Sequence, residues 1–468
     1  MGFKNPIDIF WTSSIEPSIF LLYVLIQIGQ GLPWSAVSLM LTREVGLSYE
    51  QMNEYYAITY LPWSFKLVFG YISDSLPLFH HRRVPYFIFY SFCVAIAFCL
   101  YGFFARSYGT ALLMGIILAS AECGAQLMVD TLVVERVHKE TDDEGRGQSL
   151  SMASKTIGTV IATILSLLLM IKLNDDGTPV IPYKLFFFFS AIPYLIAAIV
   201  AFKINDRVVA QHSFRETLVE GGKLIFCGKR GMDAMSKNRP LLPLMLFLII
   251  RSMMPSTTTN IYSFLSYNVS VLPWQYNTLN ISTSVASLIG SFVYHRFLVG
   301  KNLLIIIVAT TIAACLTGIL QIYMVAGLFE GTTLFWVCIV IMDINSLVSQ
   351  MAFIPMLVMV SKACPTGYEA SMWAIFFSLN DLAGSVGGKF SSMLTTYYAI
   401  TSTDYSNLYK YCITCSLISL VPLFYLIFIR SYFSIVATMS DDRQELRGNL
   451  DLLKNEELEI SMQEKVFN

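Results

Sequence analysis

The sequence predicts an all-α membrane protein with twelve transmembrane helices in two six-helix bundles. Composition is the first observation, because 55% of the 468 residues are hydrophobic and only 13% are charged, whereas about a quarter of a soluble domain is charged. Length is the second observation. Apolar stretches of roughly 20 residues recur along the chain, and a helix of this length crosses about 30 Å of hydrocarbon.

Twelve such stretches follow one another. Their ranges are 17–41, 52–73, 85–104, 109–134, 148–171, 183–203, 241–263, 273–297, 301–325, 332–361, 367–392 and 407–430. Several contain proline, as at Pro193 and Pro255. A membrane helix tolerates proline where neighbouring helices satisfy the freed backbone groups, so each stretch is predicted to be one span.

One long connection divides the spans into two sets of six. The predicted segments are an N-terminal segment 1–16, a bundle 17–203, a linker 204–240, a second bundle 241–430 and a tail 431–468. We expect the linker to be an amphipathic segment on the membrane surface, with a regulatory or lipid-binding element as the alternative. Basic residues gather in the connections on one side, so both termini are expected to be cytoplasmic. The membrane is expected to be the plasma membrane or an organelle membrane.

Composition also limits partners and chemistry. A formal charge of −1 argues against a nucleic-acid partner. The nine cysteines are interpreted as packing residues rather than as a disulfide frame or a metal site. The sequence shows neither a phosphate-binding loop nor a supported catalytic triad, so we expect no cofactor and no enzymatic activity. The polar first 16 residues lack a signal-peptide pattern, and the first span is therefore expected to be retained.

A weak internal repeat supports two related halves. Leu-Pro-Trp occurs at Leu61–Trp63 in the second span and at Leu272–Trp274, which opens the eighth span. Parallel half-repeats around a central site are common in transporters. The same tripeptide at Leu32–Trp34 leaves chance or an interface preference as the alternative explanation.

Eight ionisable side chains lie well inside the predicted spans, four of each sign. They are Lys66, Glu122, Asp130, Lys155, Arg251, Asp343, Asp381 and Lys389. Each costs about 2.5 to 3.5 kcal/mol near the bilayer centre, so the eight cannot all face lipid. We expect them to face the bundle interior or a water-filled cavity, where they are paired or solvated.

Depth along the spans separates candidate binding groups from candidate gate groups. Glu122, Arg251 and Asp343 should lie near the midplane, where we expect substrate or proton handling. Gln126, one turn from Glu122 on the same helix face, is a further candidate substrate-binding residue. The candidate proton carriers are the carboxylates Glu122, Asp130 and Asp381. All five histidines fall in predicted cytoplasmic connections or, for His295, at the adjoining end of a span, so a coupled proton would need a buried carboxylate.

Candidate gate groups lie nearer the predicted cytoplasmic ends. Asp130 and Lys155 belong to consecutive spans, and an ion pair between them would close the inner end of the path. A static pair that only locks helices together is the alternative for both, and for Lys389. Asp74, at a helix end, is expected to latch the two halves rather than contact substrate. The full set of candidate gate residues is Asp74, Arg82, Arg83, Asp130, Lys155, Glu135 and Lys389.

The stretch from Leu61 to Tyr86 carries the most specific motif. It reads Leu-Pro-Trp before Lys66, then Gly-x-x-Ser-Asp-Ser-x-Pro, then Arg-Arg-x-Pro-Tyr. Gly70 and Asp74 are four residues apart and share a helix face. This hairpin resembles the signature loop between helices 2 and 3 of the major facilitator superfamily, and its details are similar to the folate-biopterin transporter family within that superfamily.

Two further segments extend the resemblance into both halves. They are Ala121–Glu122 through Glu135–Arg136, and Cys364-Pro-Thr-Gly-Tyr-Glu369-Ala followed by Phe377-Ser-Leu-Asn380-Asp381. One departure is His80-His81, which stands where the family pattern has a Gly-Tyr-like turn before the two arginines. This difference concerns the geometry of the loop more than membership of the family. The resemblance implies twelve helices and secondary transport of folates, pterins or related metabolites, and members of the family also carry S-adenosylmethionine.

The resemblance and the charges together predict a monomeric secondary active transporter that moves folate, a pterin or a related metabolite by alternating access, coupled to protons. Its partners would be the small-molecule substrate, the lipid bilayer and protons. Facilitated exchange, transport of another small organic ion such as S-adenosylmethionine, and a non-transporting receptor are the alternatives.

A folate-like ligand needs a carboxylate for its adjacent N–H donors, an aromatic face for its ring and a cation for its glutamate tail. The respective candidates are Glu122 or Asp343, Trp63 or Trp34, and Arg251 or Lys66. Interface anchoring or helix packing is the alternative role of both tryptophans.

Overall fold

The computed structural model of the chain describes residues 16–47, 49–137, 144–170, 181–204, 206, 242–267, 273–326, 328–364, 369–401 and 404–429. Almost all of the predicted N-terminal segment, linker and tail lie outside these residues, as does Asn268, a candidate glycosylation site. The described part of the chain is helical, with one isolated β-bridge between Leu78 and His81.

The first half of the chain contains nine helices among the described residues. They are α1 (Pro17–Gly31), α2 (Trp34–Arg43), α3 (Tyr49–Thr59), α4 (Leu61–Ser64), α5 (Lys66–Ser75), α6 (Val84–Phe104), α7 (Tyr108–Val137), α8 (Glu144–Met170) and α9 (Tyr183–Ala201). The first two predicted spans are therefore interrupted, where a single helix was expected. The first span is interrupted at Pro33, and the first break of the second span, at Tyr60, lies just before Pro62; proline lacks an N–H group and clashes with the preceding helical turn. The second span has a further break at Phe65, where no proline lies.

The second half begins at Leu242. Its helices are α10 (Leu242–Ser252), α11 (Thr258–Tyr267), α12 (Pro273–Val293), α13 (Leu303–Leu320), α14 (Ile322–Val325), α15 (Gly331–Ala363), α16 (Glu369–Tyr397), α17 (Leu408–Ile418) and α18 (Val421–Phe428), and a π-helical turn, Tyr294–Leu298, follows α12. The seventh predicted span is also interrupted, between Ser252 and Thr258, where Pro255 lies.

Seven helical stretches of the described residues are long and apolar enough to cross a membrane. They are Val84–Phe104, Tyr108–Arg136, Gly145–Met170, Tyr183–Ala201, Leu303–Val325, Gly331–Lys362 and Leu408–Phe428. Two shorter apolar helices, Pro17–Gly31 and Leu242–Ser252, lie in the first and seventh predicted spans, which are interrupted in the structure. The protein is thus a multi-pass membrane protein, and the number of twelve spans stays a prediction.

The two halves of the chain meet mainly along two helix pairs, α5 with α16 and α8 with α12, and smaller contacts join α15 to α8 and α16 to α4 and α7. Gly70 permits the first contact, because a Cβ atom there would lie 2.6 Å from the carbonyl oxygen of Ala370. The second pair is joined near one end by a hydrogen bond of 2.8 Å between Ser149 Oγ and His295 Nδ1. These contacts define an interface between the halves.

The turn between α5 and α6 has an unusual backbone. Phe79 and His80 have φ angles of 51° and 65°, and the N–H of His81 donates to Leu78 O at 2.9 Å. Two consecutive positive φ values are typical of a type I′ turn, which favours glycine and asparagine. The sequence departs from the family pattern at this turn, and here two residues with large side chains occupy left-handed positions.

Candidate functional site

A cavity of about 180 Å³ lies within the first half of the chain. Six of its fourteen lining residues are aromatic, namely Trp34, Tyr55, Tyr56, Tyr60, Trp63 and Phe98. Pro33 and Thr59 also line it, so the cavity lies where α1–α2 and α3–α4 are interrupted. The interruptions thus bring aromatic side chains of two spans to one cavity.

Glu122, on α7, is the acidic residue that lines this cavity. Its side chain is partly buried and makes no hydrogen bond or ion pair with any other described residue. A buried carboxylate is costly unless it is neutralised, solvated or hydrogen-bonded. Glu122 can therefore receive a proton, or accept hydrogen bonds from a ligand in the cavity.

Lys66 and Asp381, for which the sequence predicts separate roles, form an ion pair in the structure. Lys66 Nζ lies 2.8 Å from Asp381 Oδ2, and the pair joins α5 to α16 across the interface. The ammonium also lies 4.9 Å from the centre of the Trp63 ring. Lys66 does not line the cavity, and in this conformation Asp381 holds the cation that was a candidate for the ligand tail.

Asp130 and Lys155 form the contact that the sequence predicts, with 2.8 Å between Lys155 Nζ and Asp130 Oδ1. Tyr23 Oη also donates to Asp130 at 2.8 Å, and Gln126 Nε2 donates to it at 3.1 Å. All four side chains belong to the first half, so this cluster does not itself join the halves. Gln126 is buried here and does not line the cavity.

Arg83 is the centre of a buried charge cluster at one end of the interface. Its side chain is 0% exposed, and its guanidinium donates to Asp74 and Glu135 at 2.6 Å each. Glu369, on α16, lies 3.8 Å away. Burial opposes the charge of Arg83, but the carboxylates of Glu135, Asp74 and Glu369 outweigh this effect and raise the pKa of the guanidinium above its ordinary value.

Asp74 extends this cluster across the interface. Its Oδ2 accepts hydrogen bonds from the backbone N–H and the hydroxyl of Ser371, at 2.8 and 2.6 Å. Arg82 is also buried, and its carbonyl accepts from Ser73 Oγ at 2.7 Å. Asp74 thus joins α5 to α16 across the interface, and its role as a latch stays a prediction.

Three predicted site residues of the second half, Arg251, Asp343 and Lys389, have no ion-pair partner among the described residues. Arg251 makes only a long contact, 3.5 Å from Nη2 to Ala352 O. Asp343 accepts from Ser282 Oγ at 2.8 Å. Lys389 is exposed, and the described structure forms no pair that would make it a gate. None of the three lines the cavity in this conformation.

Sequence reasoning did not assign roles to several residues that the structure brings into the site. Glu369 belongs to a motif for which the sequence predicts no role. Neither Ser371 nor the tyrosines of the cavity are among the predicted site residues. The clustered Tyr55, Tyr56 and Tyr60 directly precede Leu-Pro-Trp, and this aromatic density at a proline was a usable signal.

Comparisons with known proteins identify the family and the fold of the chain. The model of the BT1 family matches residues 27–448. The folate-biopterin transporter of Synechocystis sp. is 28% identical over 432 residues, which cover 90% of this chain and 84% of that protein. Folate transporter 1 of Plasmodium falciparum is 26% identical over 375 residues, covering 78% and 70%.

A solved structure shows the fold. The proton:xylose symporter XylE, of the major facilitator superfamily, superposes with a TM-score of 0.60 at 14% identity over 87% of this chain and 94% of that chain. The family match spans most of the residues from α1 to beyond α18, and it agrees with the resemblance found in the hairpin motif. The chain therefore belongs to the BT1 family and has the fold of the major facilitator superfamily, and the relatives named above are transporters rather than enzymes.

Proposed function

We propose that this protein carries a folate, a pterin or a closely related metabolite across a membrane by alternating access, driven by protons. The names of its relatives support the substrate class. The observation that carries the proposal is Glu122, a carboxylate without a protein partner among the described residues in the wall of an aromatic cavity.

The cavity suits the ring of such a ligand. A pterin presents adjacent N–H donors that one carboxylate can accept together, and its flat ring can pack on an indole or phenol face. A volume of about 180 Å³ is below the roughly 300 to 1,000 Å³ that encloses a whole drug-sized ligand. The ring would therefore occupy the cavity, and the glutamate tail of a folate would extend out of it.

Arg251 is the better of the two cations proposed for that tail. Asp381 already neutralises Lys66 at 2.8 Å, whereas Arg251 has no carboxylate partner in the described part of the chain. A carboxylate of the tail would supply that partner in a conformation that brings the second half towards the ligand. Arg251→Ala should then weaken folate more than biopterin, which lacks the tail.

The interface between the halves supports the proposal of alternating access. In the proposal, six spans on each side form a bundle, and the contacts of Asp74 with Ser371 and of Lys66 with Asp381 close the path at one end. Because Arg82 and Arg83 mark the predicted cytoplasmic side, this conformation would be closed to the cytoplasm. Rocking of the halves would separate these contacts and expose the site to the other side.

Glu122 is also the best candidate to carry the coupled proton. Asp130 and Asp381 each have a lysine within 2.8 Å, and the lysine offsets the cost of their charge. Glu122 has no such cation among the described residues. A proton on Glu122 would remove a costly charge, and a ligand that donates hydrogen bonds to the carboxylate would compete with that proton.

Uptake by purified protein in sealed proteoliposomes tests the proposal. Labelled folate should accumulate saturably, an inward proton gradient should stimulate it, and unlabelled biopterin should compete. Inhibition by S-adenosylmethionine alone would instead favour an organic cation, which a carboxylate among aromatic faces can also bind. Ligand binding without flux would identify a receptor, and the absence of both binding and flux of all three compounds would refute the substrate class.

A further inference from the structure

The interrupted second span connects the cavity to the interface. Helix α4 is only four residues long, Leu61–Ser64, and α5 begins directly after Phe65. Tyr60 and Trp63 line the cavity, while Lys66 forms the ion pair with the other half. The two functions are thus three residues apart along one short segment.

The other half of the chain helps to stabilise the interruption. Leu67 lies in the first turn of α5, where an N–H group has no acceptor within its own helix. This N–H donates to Ser378 Oγ on α16 at 3.2 Å. Separating α5 from α16 therefore leaves a backbone donor without its partner, so the shape of the segment depends on whether the interface is closed.

Trp63 lines the cavity and also contacts Lys66 of the ion pair. Lys66 Nζ lies 4.9 Å from the centre of the indole, within the range of a cation–π interaction. The ring of Phe377 is 5.7 Å from the same ammonium on the opposite side of the interface. The indole of Trp63 thus helps to hold Lys66 opposite Asp381, while the same residue forms part of the cavity wall.

We propose that Trp63 is a positioning residue that transmits occupancy of the cavity to the Lys66–Asp381 ion pair. A flat ligand that packs on the indole draws it towards the cavity and weakens its contact with Lys66. The ammonium is then less firmly held opposite Asp381, and α5 separates more readily from α16. The ligand-dependent part of this inference rests on the proposed function, whereas the effect of Trp63 on the interface does not.

Hydrogen–deuterium exchange of the ligand-free protein in nanodiscs directly tests the effect of Trp63 on the interface. Trp63→Leu should accelerate amide exchange in α5 about fivefold, because a cation–π contact is lost. Trp34→Leu is the matched control, since Trp34 lines the same cavity and makes no contact with Lys66. The double variant Trp63→Leu/Lys66→Met should exchange no faster than Lys66→Met. Equal exchange in Trp63→Leu and Trp34→Leu, or effects that multiply in the double variant, would overturn the proposal.

Folate uptake kinetics test the ligand-dependent part. Trp63→Leu should change the maximal rate several-fold, because α5 then separates from α16 equally readily with and without folate, and Trp63→Phe, which retains an aromatic face, should restore part of the original rate. Trp34→Leu should raise the KM and leave the maximal rate nearly unchanged. A Trp63→Leu variant that alters only the KM would contradict the proposal. Absence of folate uptake by the unmodified protein would count against the proposed function alone, because the exchange experiment does not depend on it.

Discussion

At the scale of single residues, partners divide the eight charged side chains of the predicted spans into two groups. Lys66, Asp381, Asp130 and Lys155 form two ion pairs, while Glu122, Arg251, Asp343 and Lys389 have no ion-pair partner among the described residues. The sequence could predict that each charge needs compensation, because the cost of a bare charge in a bilayer is general. The contact between Asp130 and Lys155 could also be predicted, because the two residues lie in the cytoplasmic halves of consecutive spans. It did not give Lys66–Asp381, whose partners are 315 residues apart.

The Lys66–Asp381 pair makes a prediction about stability. Asp381→Asn should lower the melting temperature of the detergent-solubilised protein, because Lys66 is then left with an uncompensated charge. Lys66→Met/Asp381→Asn should recover part of this loss, because neither charge remains. Purely additive effects of the two single substitutions would show that the pair is not coupled in the folded protein.

Arg83 should be more sensitive still. Because its side chain is fully buried between Asp74 and Glu135, Arg83→Gln should destabilise the fold by about 3 to 5 kcal/mol. Arg83→Lys should not rescue it, since an ammonium cannot reproduce the planar fork of the guanidinium. Arg106→Gln is the control, because Arg106 is exposed. Thermal unfolding measures all three, and equal melting temperatures for Arg83→Gln and Arg106→Gln would contradict the role of the cluster.

At the scale of elements, the sequence located the helices better than their interruptions. Leu-Pro-Trp was interpreted as a weak trace of half-repeats. In the structure, the copies at Leu32–Trp34 and Leu61–Trp63 lie at interruptions that border the cavity. In the third copy, Leu272 lies outside the described residues and Pro273 begins α12. Proline predicts that a helix can break, but only the packed neighbours determine whether it does. The aromatic cavity was therefore not predictable from span assignment alone.

The contact between α5 and α16 depends on the absence of a side chain at Gly70. Gly70→Ala would place a Cβ atom 2.6 Å from Ala370 O, so we expect faster amide exchange in α5 and lower thermal stability. Gly384→Ala on α16 is the matched control, because no neighbouring atom lies within 4 Å of the added methyl group. A Gly70→Ala variant as stable as Gly384→Ala would show that the helices are not in this close contact.

Substitutions in the turn before Arg82 should raise the thermal stability of the protein. Phe79 and His80 both have positive φ, and a left-handed conformation costs an ordinary residue about 1 to 2 kcal/mol. Phe79→Asn and His80→Gly should therefore each raise the melting temperature. Little packing is lost at Phe79, which is 84% exposed. His81→Gly, at a position without positive φ, should lower the melting temperature, and stabilisation by this control as well would indicate a different turn.

At the scale of the whole molecule, family and fold could be predicted from short motifs. The hairpin from Leu61 to Tyr86 resembled the folate-biopterin transporter family, and the BT1 match and the likeness to a major facilitator structure confirm the family and the fold. The two halves, however, meet through residues far apart in sequence, such as Asp74 and Ser371. A single sequence does not report such contacts, because they depend on how complete helices pack. The orientation in the membrane, the proton coupling and the twelve-span count stay predictions.

The account as a whole depends on Glu122 binding both the ligand and the proton. The most direct test compares the unmodified protein with Glu122→Gln in proteoliposomes, measuring folate uptake with and without an inward proton gradient. Glutamine fills nearly the same space but carries no charge and binds no proton near neutral pH. The account predicts saturable, gradient-stimulated uptake by the unmodified protein, and for Glu122→Gln at least about tenfold weaker folate binding, as expected when a charge-assisted hydrogen bond is lost, with no response to the gradient. Gradient-stimulated uptake of equal affinity by Glu122→Gln would contradict it.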